Sequence, residues 1–203
     1  SSDVCSSDLP GMPQQEEAPA ELFTAPPGEW QSDLEDPDLQ YADDERQHRI
    51  ASWQSLPGLG ELAPLLACDP PLIAPLETLI RQLSTDDAFV PQVALLTART
   101  NGSATCFDAW LNRWQGEEDF AGHLRQGEHA LHRWLARHPQ SRVLVIAVQL
   151  LTRSPDRFSA AQLTPLAEYG LSTAQAIDLL TWSGLCGWMN RLKIALGNVR
   201  QQT

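Results

Sequence analysis

The residues best placed to do chemistry are Ser103 and Cys106, three positions apart and just after Asn101 and Gly102. An Asn-Gly pair ends one helix, and a serine then offers a cap for the next, whose first turn would hold Cys106. A thiol in a first turn faces the positive end of the helix dipole, which favours the nucleophilic thiolate. Ser103 would either cap the helix or hydrogen-bond the sulfur. The chemistry on offer is that of a reactive thiol with a polar helper. A free cysteine used only for packing produces the same pattern, so spacing alone leaves both roles open.

Other candidates have simpler readings. His123, His129, His132 and His138 fall in one segment, with Glu118 and Glu128 nearby, and His129 and His132 share a helical face. No His-Glu-x-x-His spacing occurs, so a solvated face is expected rather than a metal site. Arg125, Arg133, Arg137 and Arg142 form a modest basic stripe, either facing solvent or docking an acidic segment. Asp86-Asp87 and Glu117-Glu118-Asp119 sit where helices should begin, and serve as caps and dipole partners. Cys186, between Gly184 and Gly187, reads as a site of close helix packing. Glycine-rich nucleotide loops, P-loops and serine elbows are missing, so neither nucleotide binding nor serine hydrolysis is implied and no cofactor is expected.

The elements that must position these residues are helices. From Trp53 onward, Leu- and Ala-rich segments alternate with Pro, Gly and Ser breakers, and the one β-branched run, Val143 to Val148, lacks strand partners. The breakers and caps predict helices over about 60–67, 72–83, 88–100, 104–115, 119–137 (bent near Gly127), 141–151, 159–169 and 173–197. Ser172 should cap the last and longest, whose apolar residues Ile177, Leu180, Trp188, Leu192 and Leu196 suit a core or subunit interface. Trp110, Trp114, Trp134 and Trp182, with Trp188, are expected in that core or interface. The fold class is all-α: a compact multi-helix domain over residues 53–203, preceded by an acidic, mostly irregular arm.

Charge sharpens that division. The 203 residues carry a net charge of −12. Residues 1–50 hold thirteen Asp or Glu against two Arg, while residues 51–203 hold thirteen acids against twelve bases. The acidity therefore belongs to the Pro-rich segment 10–52, which is too polar to make a core of its own. A domain without clustered cations is a poor match for nucleic acid, and no run of eighteen apolar residues offers a membrane span. Residues 1–9, SSDVCSSDL, read as a sequencing or cloning artefact, which sets Cys5 aside. Cys68, Cys106 and Cys186 are widely spaced and odd in number, a pattern that fits a reducing cytoplasm better than a disulfide framework.

With these residues in view, the chain resembles the alkylhydroperoxidase-D-like (carboxymuconolactone decarboxylase) family. That family carries a segment similar to A-x-x-N-G-C-x-x-C-x-x-x-H at the start of a helix, matched here by Asn101, Gly102 and Cys106. A second landmark is a Gly-Leu-Ser turn followed by a long helix reading N-R-L-x-x-x-L-G. Here those are Gly170-Leu171-Ser172, Asn190-Arg191-Leu192 and Leu196-Gly197. The likeness spans about residues 76–197 and leaves out everything before Trp53. It implies a helical domain assembled as a trimer or hexamer, reducing peroxides through a thiol pair assisted by a Glu and a His. By position, Cys106 corresponds to the peroxide-attacking thiol. The resolving cysteine is replaced by Ser103 and the histidine by Trp110, and the glutamate position falls near Pro91.

Two readings follow. One is a thiol oxidoreductase that uses Cys106, helped by Ser103 and recycled by an external thiol because no local disulfide can close. The other is a non-catalytic oligomeric helical module that keeps the scaffold alone. The surroundings of Cys106 discriminate between them. A half-exposed sulfur beside a cavity favours the first, and a sulfur sealed beneath Phe107 and Trp110 favours the second.

Overall fold

The computed structural model describes residues 31–35, 43–67, 69–83, 89–116 and 118–200. Among them the fold is all-α, with helices α1 (Asp44–Gln54), α2 (Ala63–Leu66), α3 (Pro70–Gln82), α4 (Phe89–Asn101) and α5 (Ala104–Leu111) in the first half. The second half holds α6 (Glu118–Gln126), α7 (Glu128–Arg137), α8 (Pro139–Arg153), α9 (Ala160–Glu168) and α10 (Thr173–Leu196). A short parallel pair, β1 (Gln31–Glu35) with β2 (Asn198–Arg200), brings the two ends of the described chain together. No pattern of alternating residues announced it, since two short extended segments can pair through their backbones alone. No described helix is long and apolar enough to cross a membrane.

Helix formation begins earlier than composition implies. The acidic segment ends in α1, where Asp43 accepts a hydrogen bond from the Arg46 amide at 2.7 Å and starts the helix. Ile50 and Trp53 on that helix are fully buried, so two anchors outweigh a polar neighbourhood. The rest of the acidic segment, residues 10–30 and 36–42, lies outside the described residues, as do Cys5, Cys68, the Ser84–Asp87 caps and Glu117.

The core is built around α4 and α10, the most extensively packed pair. Val93, Leu95, Leu96 and Ala98 of α4 are wholly inaccessible, as are Leu179 and Trp182 of α10. The capping box at Ser172 orients α10: its hydroxyl accepts from the Gln175 amide at 3.2 Å, and the Gln175 side chain accepts from the Ser172 amide at 3.1 Å. The Val143–Val148 run lies inside α8, with Val145 and Val148 in the core; burial on a helical face overrides their strand preference. The glycines flanking Cys186 do not act as expected. A Cβ at Gly184 would meet nothing within 4 Å, and one at Gly187 would make only ordinary contacts, the nearest at 3.8 Å to Thr97.

The anticipated bend near Gly127 is a full break. Its φ of 109° lies where side chains are strained, so the chain reverses there. α7 folds back on α6: the Phe120 and Trp134 rings meet edge to face at 4.9 Å, and Arg137 Nη2 donates to His123 Nε2 at 3.1 Å. α5 also stops short of the expected Gln115, at Leu111. Trp114, beyond its end, instead lays its ring on Phe120 at 5.3 Å, and a Cβ at Gly116 would stand only 2.2 Å from that indole.

A thiol cleft between α5 and α10 as the candidate functional site

The turn that presents Cys106 is set by backbone hydrogen bonds. The Ser103 amide donates to the Ala98 carbonyl at 2.9 Å and the Gly102 amide to the Arg99 carbonyl at 3.2 Å. With Gly102 at φ 74°, these close α4 in a Schellman arrangement, which only a glycine adopts without strain. Ser103 then occupies the N-cap position of α5, but its hydroxyl makes no capping hydrogen bond. It is buried, one turn before Cys106. The cap role expected of Ser103 is thus not the one it has.

Cys106 sits in the first turn of α5, half-buried, on the wall of a cleft of about 310 Å³. α5 contributes Cys106 and Trp110 to the lining, the turn after it contributes Arg113, α10 contributes Met189, Asn190 and Lys193, and the segment Gly58–Leu62 closes one side. Trp110, at the position where the resemblance places a histidine, is buried and packs edge-on against Trp182, with ring centroids 6.2 Å apart and planes at 85°. The Arg113 guanidinium lies over the Trp110 ring at 5.9 Å. Gly58 makes room for this wall: a Cβ there would approach Met189 Cε to 2.6 Å. The cleft therefore has an apolar floor, a thiol on its side and two cations at its lining. Among the described lining residues none is an acid.

Asp108, two positions from Cys106, is an exposed carboxylate committed elsewhere, accepting from Arg125 Nη2 at 2.6 Å. Phe107 is fully buried beneath the same Arg125, whose guanidinium stands 5.3 Å from its ring. The second described thiol, Cys186, is buried on α10. Burial pushes its pKa well above the ordinary thiol range, and nearby Cys106 pushes the same way, so it stays protonated and inert.

The histidine segment does not converge on a metal. His123 donates from Nδ1 to the Asp119 carbonyl at 2.7 Å and accepts from Arg137 at Nε2, which occupies both ring nitrogens. His138 donates to the Trp134 carbonyl and stacks on that indole at 4.1 Å, while His129 and His132 are exposed on α7. Among the described residues no group of three His, Cys, Asp or Glu could hold a metal ion. The basic stripe is divided as well: Arg125 pairs with Asp108, Arg137 meets His123, and Arg133 and Arg142 face solvent.

The chain matches no family model, no curated protein and no solved structure. The cleft therefore stands on its own residues. Sequence reasoning located Cys106 and Ser103 but missed Arg113, Met189 and Lys193, and it used Asn190 only as a landmark. Asn190 was findable in principle, since it lies four residues after Cys186 on one helical face. Arg113 carried no signal, because it follows the end of a helix expected to continue.

Proposed function

We propose that the protein is a thiol oxidoreductase that reduces hydroperoxides through Cys106. The observation that carries this reading is a half-exposed thiol in the first turn of α5, opening into a cleft. The helix N-terminus favours the thiolate. That thiolate attacks the outer peroxide oxygen. The S–O bond forms as the O–O bond breaks, and the departing alkoxide takes a proton to leave as an alcohol. Cys106 is left as a sulfenic acid. Cys186, protonated in the core, is a poor resolving partner, so a low-molecular-weight thiol condenses with the sulfenic acid and releases water. A second such thiol then frees Cys106 and leaves as the small-molecule disulfide. Ser103, buried one turn before, acts as a polar helper to the sulfur. Such recycling suits the reducing cytoplasm.

Trapping of the sulfenic acid during peroxide titration tests this, with Cys106→Ser as control. At pH 6 Cys106 should oxidise at least about tenfold faster than free cysteine, as expected of a thiol kept partly ionised. A rate equal to that of free cysteine would leave the second reading, an oligomeric helical module without chemistry. That reading draws support from Ile177 and Trp188, exposed on α10 and eleven residues, or about three turns, apart. A trimer or hexamer assembled through this face would appear in light scattering as a mass that Trp188→Glu reduces.

A further inference from the structure

α10 buries one face in the core and leaves the other uncovered. Leu179, Trp182, Cys186 and Met189 are buried, whereas Ile177, Trp188 and Ile194 stay 57%, 37% and 50% exposed. Along the outer face Ile177, Thr181, Gly184, Trp188 and Arg191 follow one another at spacings of four, three, four and three, the period of a helix-pairing seam. The chain's own packing does not explain Gly184. Glycine inside a helix is costly relative to alanine, yet a Cβ at this position would meet nothing within 4 Å. What the missing side chain does provide is a hollow on the surface, one turn from the exposed Trp188 indole. The face thus carries a hollow and a knob side by side.

We infer that the occupant of this face is α10 of a second copy of the chain, paired antiparallel about a two-fold axis. The inference rests on the part of the reading above in which α10 joins chains, and it is independent of chemistry at Cys106. In a two-fold contact the same patch meets itself, so each Trp188 lies over the partner's Gly184 and the knob of each chain fills the hollow of the other. The backbones can approach closely at this crossing because no side chain stands at Gly184. Charge sets the direction. Asp178, half-buried beside Ile177, and Arg191 make no side-chain hydrogen bond or ion pair among the described residues. A parallel pair would set Arg191 against the partner's Arg191 on the seam. The antiparallel pair keeps the two apart, one at each end, each within about one helical turn of the partner's Asp178. A hexamer can contain such pairs, whereas a trimer closed through α10 alone cannot.

Light scattering of the full chain over a dilution series tests the pair. The mass should be an even multiple of the 22.4 kDa chain. Trp188→Glu and Gly184→Leu should each weaken association at least about tenfold, the scale of an interface hot spot, while the helical circular dichroism stays that of wild type. Gly184→Leu is the sharper variant, since leucine is the better helix former and in a chain standing alone would only stabilise α10. Asp178→Arg and Arg191→Asp should each weaken the pair as well. The double reversal, or an equal mixture of the two single variants, should restore it, because opposite charges then meet again at each end. A single-chain mass at every concentration overturns the inference together with the oligomeric reading. An oligomer indifferent to both Trp188→Glu and Gly184→Leu overturns the inference alone and leaves assembly through another face. Association that depends on Trp188 and Gly184, but in which the double reversal restores nothing, overturns the antiparallel arrangement.

Discussion

Trp182→Ala should destabilise the domain by about 3–5 kcal/mol, the range for deleting a buried indole. Trp182 is inaccessible on α10, the helix that packs most extensively against α4. It also supports the Cys106 cleft from behind, because Trp110 rests edge-on against it. Small domains have only about 5–15 kcal/mol of stability in total, so this single change removes a large share. Urea denaturation should show a lower midpoint with an unchanged slope, the signature of lost stability rather than an altered unfolded state. Trp182→Phe keeps an aromatic edge and should lose clearly less. Equal losses for the two substitutions would mean that the cavity is not the source of the effect.

The second large effect joins α1 to α3. Trp53 is inaccessible, and its Nε1 donates to Glu77 Oε2 at 2.5 Å. The other Glu77 oxygen accepts from Arg81 Nε at 2.9 Å, and Arg81 Nη2 donates to the Ser52 hydroxyl at 2.7 Å. Trp53→Ala should cost about 3–5 kcal/mol, with the cavity adding to the lost hydrogen bond. The Trp53 hydrogen bond is the largest cause holding the Glu77 carboxyl below its ordinary 4.5; Arg81 adds to it, and partial burial opposes both. A carboxylate whose pKa is depressed by folding stabilises the fold above its unfolded value, and that contribution fades as pH falls through the folded one. Stability should therefore decline from about pH 4.5 downward. Trp53→Phe should weaken that decline, and Glu77→Gln should remove its share. Thermal melts between pH 3 and 7 measure both, and identical acid profiles for wild type and Glu77→Gln would refute the assignment.

Much of the fold was legible because caps and breakers are local. Asn101-Gly102, Ser159, Gly170 and Ser172 each mark a helix boundary to within a residue or two, since the groups that satisfy helix ends lie a few positions away in sequence. Long-range causes were not legible. α1 forms in an acidic segment because Ile50 and Trp53 find the core, and α5 ends early while Trp114 turns to Phe120. The site divides in the same way. Cys106 could be singled out from its turn alone, whereas its neighbours on α10 lie more than eighty positions away and meet it only through packing. Ser103 shows the limit of the local method: it stands at the cap position without capping.

The reversal at Gly127 carries a consequence for assembly. α6 and α7 are held as a hairpin by one residue in a conformation that side chains resist. With alanine at that position, segment 118–137 would be better satisfied as one continuous helix of about 30 Å. Phe120 and Trp134 would then stand on opposite halves of a rod, each without its partner ring. The least disruptive repair is exchange, in which the second half of one chain packs on the first half of another. A single methyl group at Gly127 would therefore strain the hairpin at its turn, and the packing of α7 on α6 would have to hold against that strain or be satisfied by a neighbouring chain.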